Sequence, residues 1–271
     1  MPRLPRIPDI LTTANLSCGV ASILLASQGQ LTLACWLVFA GAAFDVLDGL
    51  AARALGGGSE LGKQLDSLAD MVTFGVAPGM LIFCLPLTNS DLNGSLHLFT
   101  EMNFQTHMDN GSNPFDLSRH WAQWVAAICV PCASAWRLAK FNIDTRQATG
   151  FLGLPTPANA LFWASIVLSL HPETMSIRII RIPCTGALLL LLEPLVLMGL
   201  SLVLGILMLS EIPLPSLKFK HFNWRGNEVI LTLFSIGLVL LALYGILAVP
   251  LILLLYLLSP LWGKLFPKQP T

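Results

Sequence analysis

The sequence predicts an all-α, polytopic transmembrane bundle of about eight helices, and three observations predict it. Of 271 residues, 55% are hydrophobic and only 11% are charged, where a soluble domain has roughly 25% charged and at most about 50% apolar residues. The mean hydropathy is +0.72. Eight apolar segments recur along the chain, at about 10–27, 31–54, 63–87, 119–138, 155–171, 183–210, 228–244 and 246–262, and roughly 20 apolar residues make one crossing of a hydrocarbon core about 30 Å thick. This composition excludes a water-soluble globule and a disordered chain. Fifteen basic residues balance fifteen acidic ones, so no net charge is present to draw a nucleic acid.

The first segment carries Asn15 and Ser17 and lacks a small-x-small cleavage site, so it reads as a retained helix rather than a secretory signal. The second and third are joined by a short connection, 54–62, containing Gly56-Gly57-Gly58, which makes them neighbours. The one long polar connection, 88–118, is rich in Asn, Asp, Ser and Gly, residues that favour turns. It and the first residues of the fourth segment hold His97, His107 and His120 beside Asp91, Glu101, Asp109 and Asp116, but the spacings are irregular and read as a solvated loop rather than a metal site. The fourth segment contains Cys129-Val-Pro-Cys132. With no second pair and no adjacent histidine, these cysteines read as small packing residues, like Cys18, Cys35, Cys84 and Cys184. In the fifth, Asn159 and Ser165 are expected to hydrogen-bond between helices. In the sixth, Glu193-Pro194 is sheltered by a proline-opened turn and is not expected to be catalytic. The last two segments meet near Gly245 and are expected to form a hairpin, the alternative being one crossing plus an interfacial piece.

With a cytoplasmic N-terminus, 12 of the 15 lysines and arginines lie inside and only Arg119, Arg178 and Arg181 outside, the distribution that the positive-inside rule asks for. An even number of crossings then puts both termini in the cytoplasm. Lys218, Lys220 and Arg225 alternate with Phe219, Phe222 and Trp224 and read as an interfacial anchor.

The chemistry is concentrated where the second segment ends and the third begins. Asp45 and Asp48 are three apart on one helix, and Asp66 and Asp70 four apart on the next, so each pair shares a face. A single Asp at a helix centre costs roughly 2.5–3.5 kcal/mol on the lenient insertion scale, so four converging carboxylates require compensating charge. Two divalent cations would supply it, and oxygen ligands suit Mg²⁺ or Mn²⁺. Two metals on shared carboxylates form a clamp for displacement at phosphorus, and a diphosphate substrate would complete their coordination. Gly49 and Ala52 leave room beside the aspartates, and Arg53 can meet a phosphate in fork geometry. On the residues alone a proton or divalent-cation pathway in a transporter stays open as the alternative.

The pattern Asp45-x2-Asp48-Gly49-x2-Ala52-Arg53-x8-Gly62-x3-Asp66-x3-Asp70 resembles the signature of the CDP-alcohol phosphatidyltransferase family at every fixed position. The resemblance implies a six-helix core around a polar cavity open to the cytoplasm, here 1–210, followed by a cytoplasmic loop and hairpin over 211–271. It also implies a homodimer. It implies two divalent ions, with Asp45 and Asp66 bridging both, Asp48 on one and Asp70 on the other, and with Asp70 as the base for the acceptor hydroxyl. Gly49, Ala52 and Arg53 would sit against the cytidine and diphosphate, and Ser59 where a further contact to the CDP-lipid is often found. Gly62, Thr12 and Asn15 complete the substrate-binding set that the resemblance suggests.

Asp66 to Pro78, Arg137 to Asn142, Phe151 to Ala158 and Leu11 to Gly19 resemble the branch of that family that uses serine as acceptor. Glycerol-phosphate users commonly carry Lys after the last aspartate, where this chain has Met71. Asp9 departs from the family, which often has Asn after Pro8, and the outer connection is longer than a minimal member needs. A serine carboxylate calls for a fixed cation, and Arg137 and Lys140, three apart on one helix face, are candidates for it and for the lipid phosphate. The competing reading of both is a headgroup anchor. The resulting expectation is transfer of a phosphatidyl group from CDP-diacylglycerol to L-serine. Inositol phosphate or glycerol phosphate are the alternative acceptors, and an archaeal-type lipid the alternative donor.

Overall fold

The computed structural model describes residues 6–57, 59–85, 117–143, 151–170, 193–214 and 228–262. The helices are α1 (Ile7–Ser27), α2 (Leu31–Ala54), α3 (Glu60–Asp70), α4 (Ala77–Phe83), α5 (Leu117–Ile143), α6 (Thr156–Leu170), α7 (Pro194–Leu209), α8 (Glu228–Tyr244) and α9 (Ala248–Trp262). A π turn, Met71–Val76, joins α3 to α4 without a break, and a 3₁₀ turn, Gly245–Leu247, joins α8 to α9. The expected all-α membrane bundle is the fold. Among the described residues there are seven continuous helical runs, fewer than the eight expected, because 228–262 stays helical through its turn. The run nevertheless folds back as a hairpin. A Cβ added at Gly237 would stand 3.4 Å from the Ile252 side chain, whereas a straight helix would separate the two positions by about 22 Å.

Among the described residues four helical runs are long and apolar enough to cross a membrane, Ile7–Ser27, Leu31–Ala54, Glu60–Phe83 and the folded-back Leu231–Leu258, and two shorter apolar ones are Thr156–Leu170 and Pro194–Leu209. The protein is a membrane protein, and its outward faces carry large apolar side chains such as Leu24, Trp36, Val203, Ile206, Phe234 and Leu238, as lipid contact requires.

Small and polar residues bring α1 and α2 together. The buried positions of α1 are Thr12, Asn15, Gly19, Ser22 and Ala26, a stripe at helical spacing that lets a neighbouring backbone come close. The Ser22 hydroxyl donates to the Ala34 carbonyl of α2 at 2.8 Å. At the centre lies α6, with eleven of its fifteen residues buried. It packs on α2, α4 and α9, and Trp163 is fully enclosed.

The π turn has a cause in Pro78. Proline has no N–H to give and its ring clashes with the carbonyl four residues back, so the Phe74 carbonyl loses its helical partner. The Ser134 hydroxyl of α5 reaches that carbonyl at 3.5 Å, the rescue of a freed backbone group expected in lipid. At the other end of α4, the Gln123 side-chain nitrogen lies 2.8–3.0 Å from the carbonyls of Ile82, Phe83 and Leu85, so α5 caps α4 at both ends.

A two-residue antiparallel pairing of β1 (Phe151–Leu152) with β2 (Pro213–Leu214) holds the approach to α6 against the end of α7. The Gly153 and Leu154 N–H groups donate to the Ile212 and Leu207 carbonyls, each at 3.0 Å, satisfying groups that a helix end leaves open. Gly153 has φ +70, and a Cβ there would lie 2.5 Å from the Ser210 carbonyl, so only glycine fits.

Two expectations are corrected. The Ser165 hydroxyl bonds within its own helix, to the Phe162 carbonyl at 2.8 Å, because a short hydroxyl on a helix finds the preceding turn before a neighbour. Glu193 is not inside a helix but precedes α7 as an exposed N-cap, with Pro194 at the first helical position, where its missing N–H costs nothing. The outer connection with His97 and His107, the start of the sixth segment, Cys184 and the Lys218–Arg225 cluster lie outside the described residues.

Candidate active site

Two helix ends create the site. Gly56 and Gly57 take φ +86 and +112, values that L side chains rarely adopt, and turn the chain sharply after α2. Ser59 then caps α3, its hydroxyl accepting the Gly62 N–H at 2.9 Å. Both helices pack against α1, and their acidic side chains meet.

Carboxylate oxygens of Asp45, Asp48 and Asp66 lie within 4.8 Å of one another. Asp48 is 6% exposed and accepts the Thr12 hydroxyl at 2.7 Å. Asp66 Oδ1 is buried and has no hydrogen-bond partner. Asp70 stands beside this trio within electrostatic range of all three members, and its Oδ1 accepts the Asn15 side-chain N–H at 3.2 Å. At an effective dielectric near 20, two unit charges 4.8 Å apart repel by about 3.5 kcal/mol. An all-oxygen donor set, mutual repulsion and an orphaned buried carboxylate oxygen together fit a divalent cation such as Mg²⁺ or Mn²⁺.

Thr12 and Asn15 therefore reach the aspartates. Arg137 is 8% exposed, within electrostatic range of Asp70 and of Tyr256 from α9, and its Nε has no hydrogen-bond partner. Gly49 borders open space: a Cβ there would meet nothing within 4 Å. Ala52 is half-buried and Arg53 exposed at the end of α2. Ser59 is engaged in its cap, and Gly62 admits α1, since a Cβ there would lie 2.9 Å from Asp9 Oδ1. Lys140 forms a 2.9 Å ion pair with Glu211.

Sequence reasoning gave no role to Tyr256, Glu211, Asn142, whose side-chain nitrogen donates to the Ser67 hydroxyl at 2.9 Å, or Thr73, whose hydroxyl donates to the main-chain carbonyl of Asn15 at 3.0 Å. Each meets a partner far away in the chain, which local spacing does not reveal. For Tyr256 a signal existed: it is a lone phenol in the leucine-rich run 251–258, and a buried hydroxyl there needs a polar partner.

Comparison with known proteins adds four findings. The family profile described as CDP-alcohol phosphatidyltransferase matches residues 6–258. A Helicobacter pylori J99 protein named CDP-diacylglycerol–serine O-phosphatidyltransferase is 30% identical over 240 residues, covering 86% of this chain and 80% of its own length. A Bacillus subtilis protein of the same name is 30% identical over 171 residues, 63% of this chain and 80% of its own length. An archaetidylserine synthase of Methanothermobacter thermautotrophicus is 32% identical over 178 residues, 65% of this chain and 64% of its own length.

Proposed function

This chain belongs to the CDP-alcohol phosphatidyltransferase family, and from that premise we propose that it transfers the phosphatidyl group of CDP-diacylglycerol to the hydroxyl of L-serine, giving phosphatidylserine and CMP. The observation that carries the reading is the trio Asp45, Asp48 and Asp66 with Asp70 beside it. Ion flux needs no Gly49, Ala52 and Arg53 at these intervals, and the cation-transporter alternative falls with family membership.

Asp45, Asp48 and Asp66, with Asp70 at the edge, would hold two divalent ions, Mg²⁺ or Mn²⁺. When bound, such ions neutralise charge on the diphosphate and on the departing CMP. The chain's own residues do the rest. Asp70 takes the proton of the serine hydroxyl. The serine oxygen forms a bond to the β-phosphorus, the bond from that phosphorus to the bridging oxygen breaks, and CMP leaves with the electron pair. Thr12 steadies Asp48. The open space at Gly49 and Ala52 admits the nucleotide, and Arg53 meets a phosphate at the rim. Arg137, buried with an unsatisfied Nε, offers the cation that a serine carboxylate needs, close to the proposed base. Lys140, paired with Glu211, borders the same end of α5.

The site faces the cytoplasm with both termini on that side, by the distribution of Lys and Arg, and the enzyme works as a homodimer. Catalysis belongs to 1–210, with 211–271 appended as loop and hairpin. The similarity to an archaetidylserine synthase supports a second reading of the donor, the same transfer from a CDP-lipid with archaeal tails. The test is CMP release by purified protein in detergent with Mn²⁺ or Mg²⁺ and CDP-diacylglycerol, offering serine, inositol phosphate or glycerol phosphate singly. Release with serine alone is expected. Release with another alcohol discards the acceptor, and silence with all three in folded protein discards the reaction.

A further inference from the structure

Asp70 differs from the other three aspartates in how it is held. Its carboxylate is gripped by a side chain of α1, and the backbone that carries that side chain is held from the segment following Asp70. Asn15 and Thr73 are both fully buried at 0% exposure. The Asn15 side-chain amide donates to Asp70 Oδ1 at 3.2 Å, and the Thr73 hydroxyl donates to the main-chain carbonyl of Asn15 at 3.0 Å. Thr73 lies in the π turn that begins one residue after Asp70, a distortion that recurs at functional sites.

Neither side chain has room to move. A Cβ at Gly19 would stand 2.8 Å from the Thr73 Cα, and one at Gly41 would stand 2.6 Å from the Thr73 methyl and 3.0 Å from Asn15 Oδ1. Thr73 is thus wedged between α1 and α2, and α2 bounds the Asn15 amide. Asn15 Oδ1 is buried without a hydrogen-bond partner, a costly state for an acceptor. Turning the amide over would set that oxygen against the Asp70 carboxylate, so the amide is committed to donating.

We propose that Asn15 and Thr73 are a positioning pair: Thr73 fixes Asn15, and Asn15 holds Asp70 by one oxygen beside the Asp45–Asp48–Asp66 trio, leaving the other oxygen to face the acceptor hydroxyl. This rests on the reading of Asp70 as the base. It moves Asn15 from touching substrate to acting through Asp70, and it gives a task to Thr73, which the family signature quoted above does not include.

The test compares Asn15→Leu, Thr73→Val and Thr73→Ser with the parent, measuring kcat, KM for serine and for CDP-diacylglycerol, and thermal unfolding. Groups that orient a functional carboxylate or ligand are worth on the order of 10–100-fold. Asn15→Leu is expected to lower kcat by about that factor, with the CDP-diacylglycerol KM within about twofold of the parent. Thr73→Val keeps the shape and loses the hydroxyl, and it should lower kcat several-fold. Thr73→Ser keeps the hydroxyl and should restore it. An unchanged kcat in Asn15→Leu overturns the proposal. So does an equal shift in the CDP-diacylglycerol KM, which would make Asn15 a substrate contact. Equal impairment of Thr73→Ser and Thr73→Val overturns it in favour of packing alone. If Asn15→Leu does not fold, the Val and Ser pair decides. Asp70→Asn run in parallel separates the two levels: turnover there refutes the base, whereas an inactive Asp70→Asn beside a fully active Asn15→Leu refutes only the positioning pair.

Discussion

Replacing Asp66 by Asn should produce two opposite effects, and their combination identifies the cluster's purpose. Asp66 shares a 4.8 Å neighbourhood with Asp45 and Asp48, so neutralising it removes two of three mutual repulsions. Each is worth about 3.5 kcal/mol at a dielectric near 20 and about 0.9 kcal/mol in water. Asp45 and Asp66 are only half-buried, so the relief belongs toward the lower end, about 2 kcal/mol for the two pairs together. Metal-free Asp66→Asn should therefore unfold at a higher temperature than the metal-free parent, by several degrees at about 2–4 °C per kcal/mol for a chain of this size. Its further stabilisation by Mn²⁺ or Mg²⁺ should shrink, because ion binding stabilises only through a site that holds the ion. Turnover should be abolished. The assay is thermal unfolding in detergent with chelator and with graded Mn²⁺, beside CMP release on the same preparations. A carboxylate kept for structure would give a lower melting point and surviving activity. Near-normal turnover, or undiminished stabilisation by the ion, refutes the cluster as a metal site.

Other perturbations test the scaffold and the acceptor. Gly153→Ala should cost on the order of 1–3 kcal/mol or more, since it forces a side chain into a left-handed backbone and against the Ser210 carbonyl; a clear fall in melting temperature checks it. Gln123→Ala should cost about 1–3 kcal/mol by stripping the donor from three carbonyls at the end of α4, with KM values unchanged because the cap is far from the aspartates. Arg137→Ala should raise the KM for serine or CDP-diacylglycerol. Lys140→Ala should barely move stability, because a part-exposed pair such as Lys140–Glu211 contributes about 0–1 kcal/mol; if neither KM moves in either variant, both residues are headgroup anchors.

The sequence was most readable where function depends on local spacing. Asp45, Asp48, Asp66 and Asp70 occupy helix faces that the three- and four-residue intervals dictate, and a short glycine turn forces those faces together. Composition alone announced a helical membrane bundle, and Gly245 announced the final hairpin. The rest depends on contacts across the chain. Spacing places Thr12 among the substrate-binding candidates but does not show that its hydroxyl meets Asp48. Lys140 looked like the twin of Arg137, three residues away. One is buried near Asp70 and the other pairs with Glu211, because the bundle closes over one and not over the other. Pro78 could have foretold a distortion upstream, but not that the distortion would place Thr73 against Asn15. Ser165 shows the reverse error, a polar residue credited with a distant partner when its own helix supplied one.

The most direct test of the central claim follows isotopically labelled L-serine into lipid during turnover of CDP-diacylglycerol by the purified protein. The account predicts one labelled phosphatidylserine for each CMP released, with both products lost together on chelation of divalent ions and in Asp66→Asn. CMP appearing without labelled lipid, or at an equal rate in the presence of chelator, would contradict it.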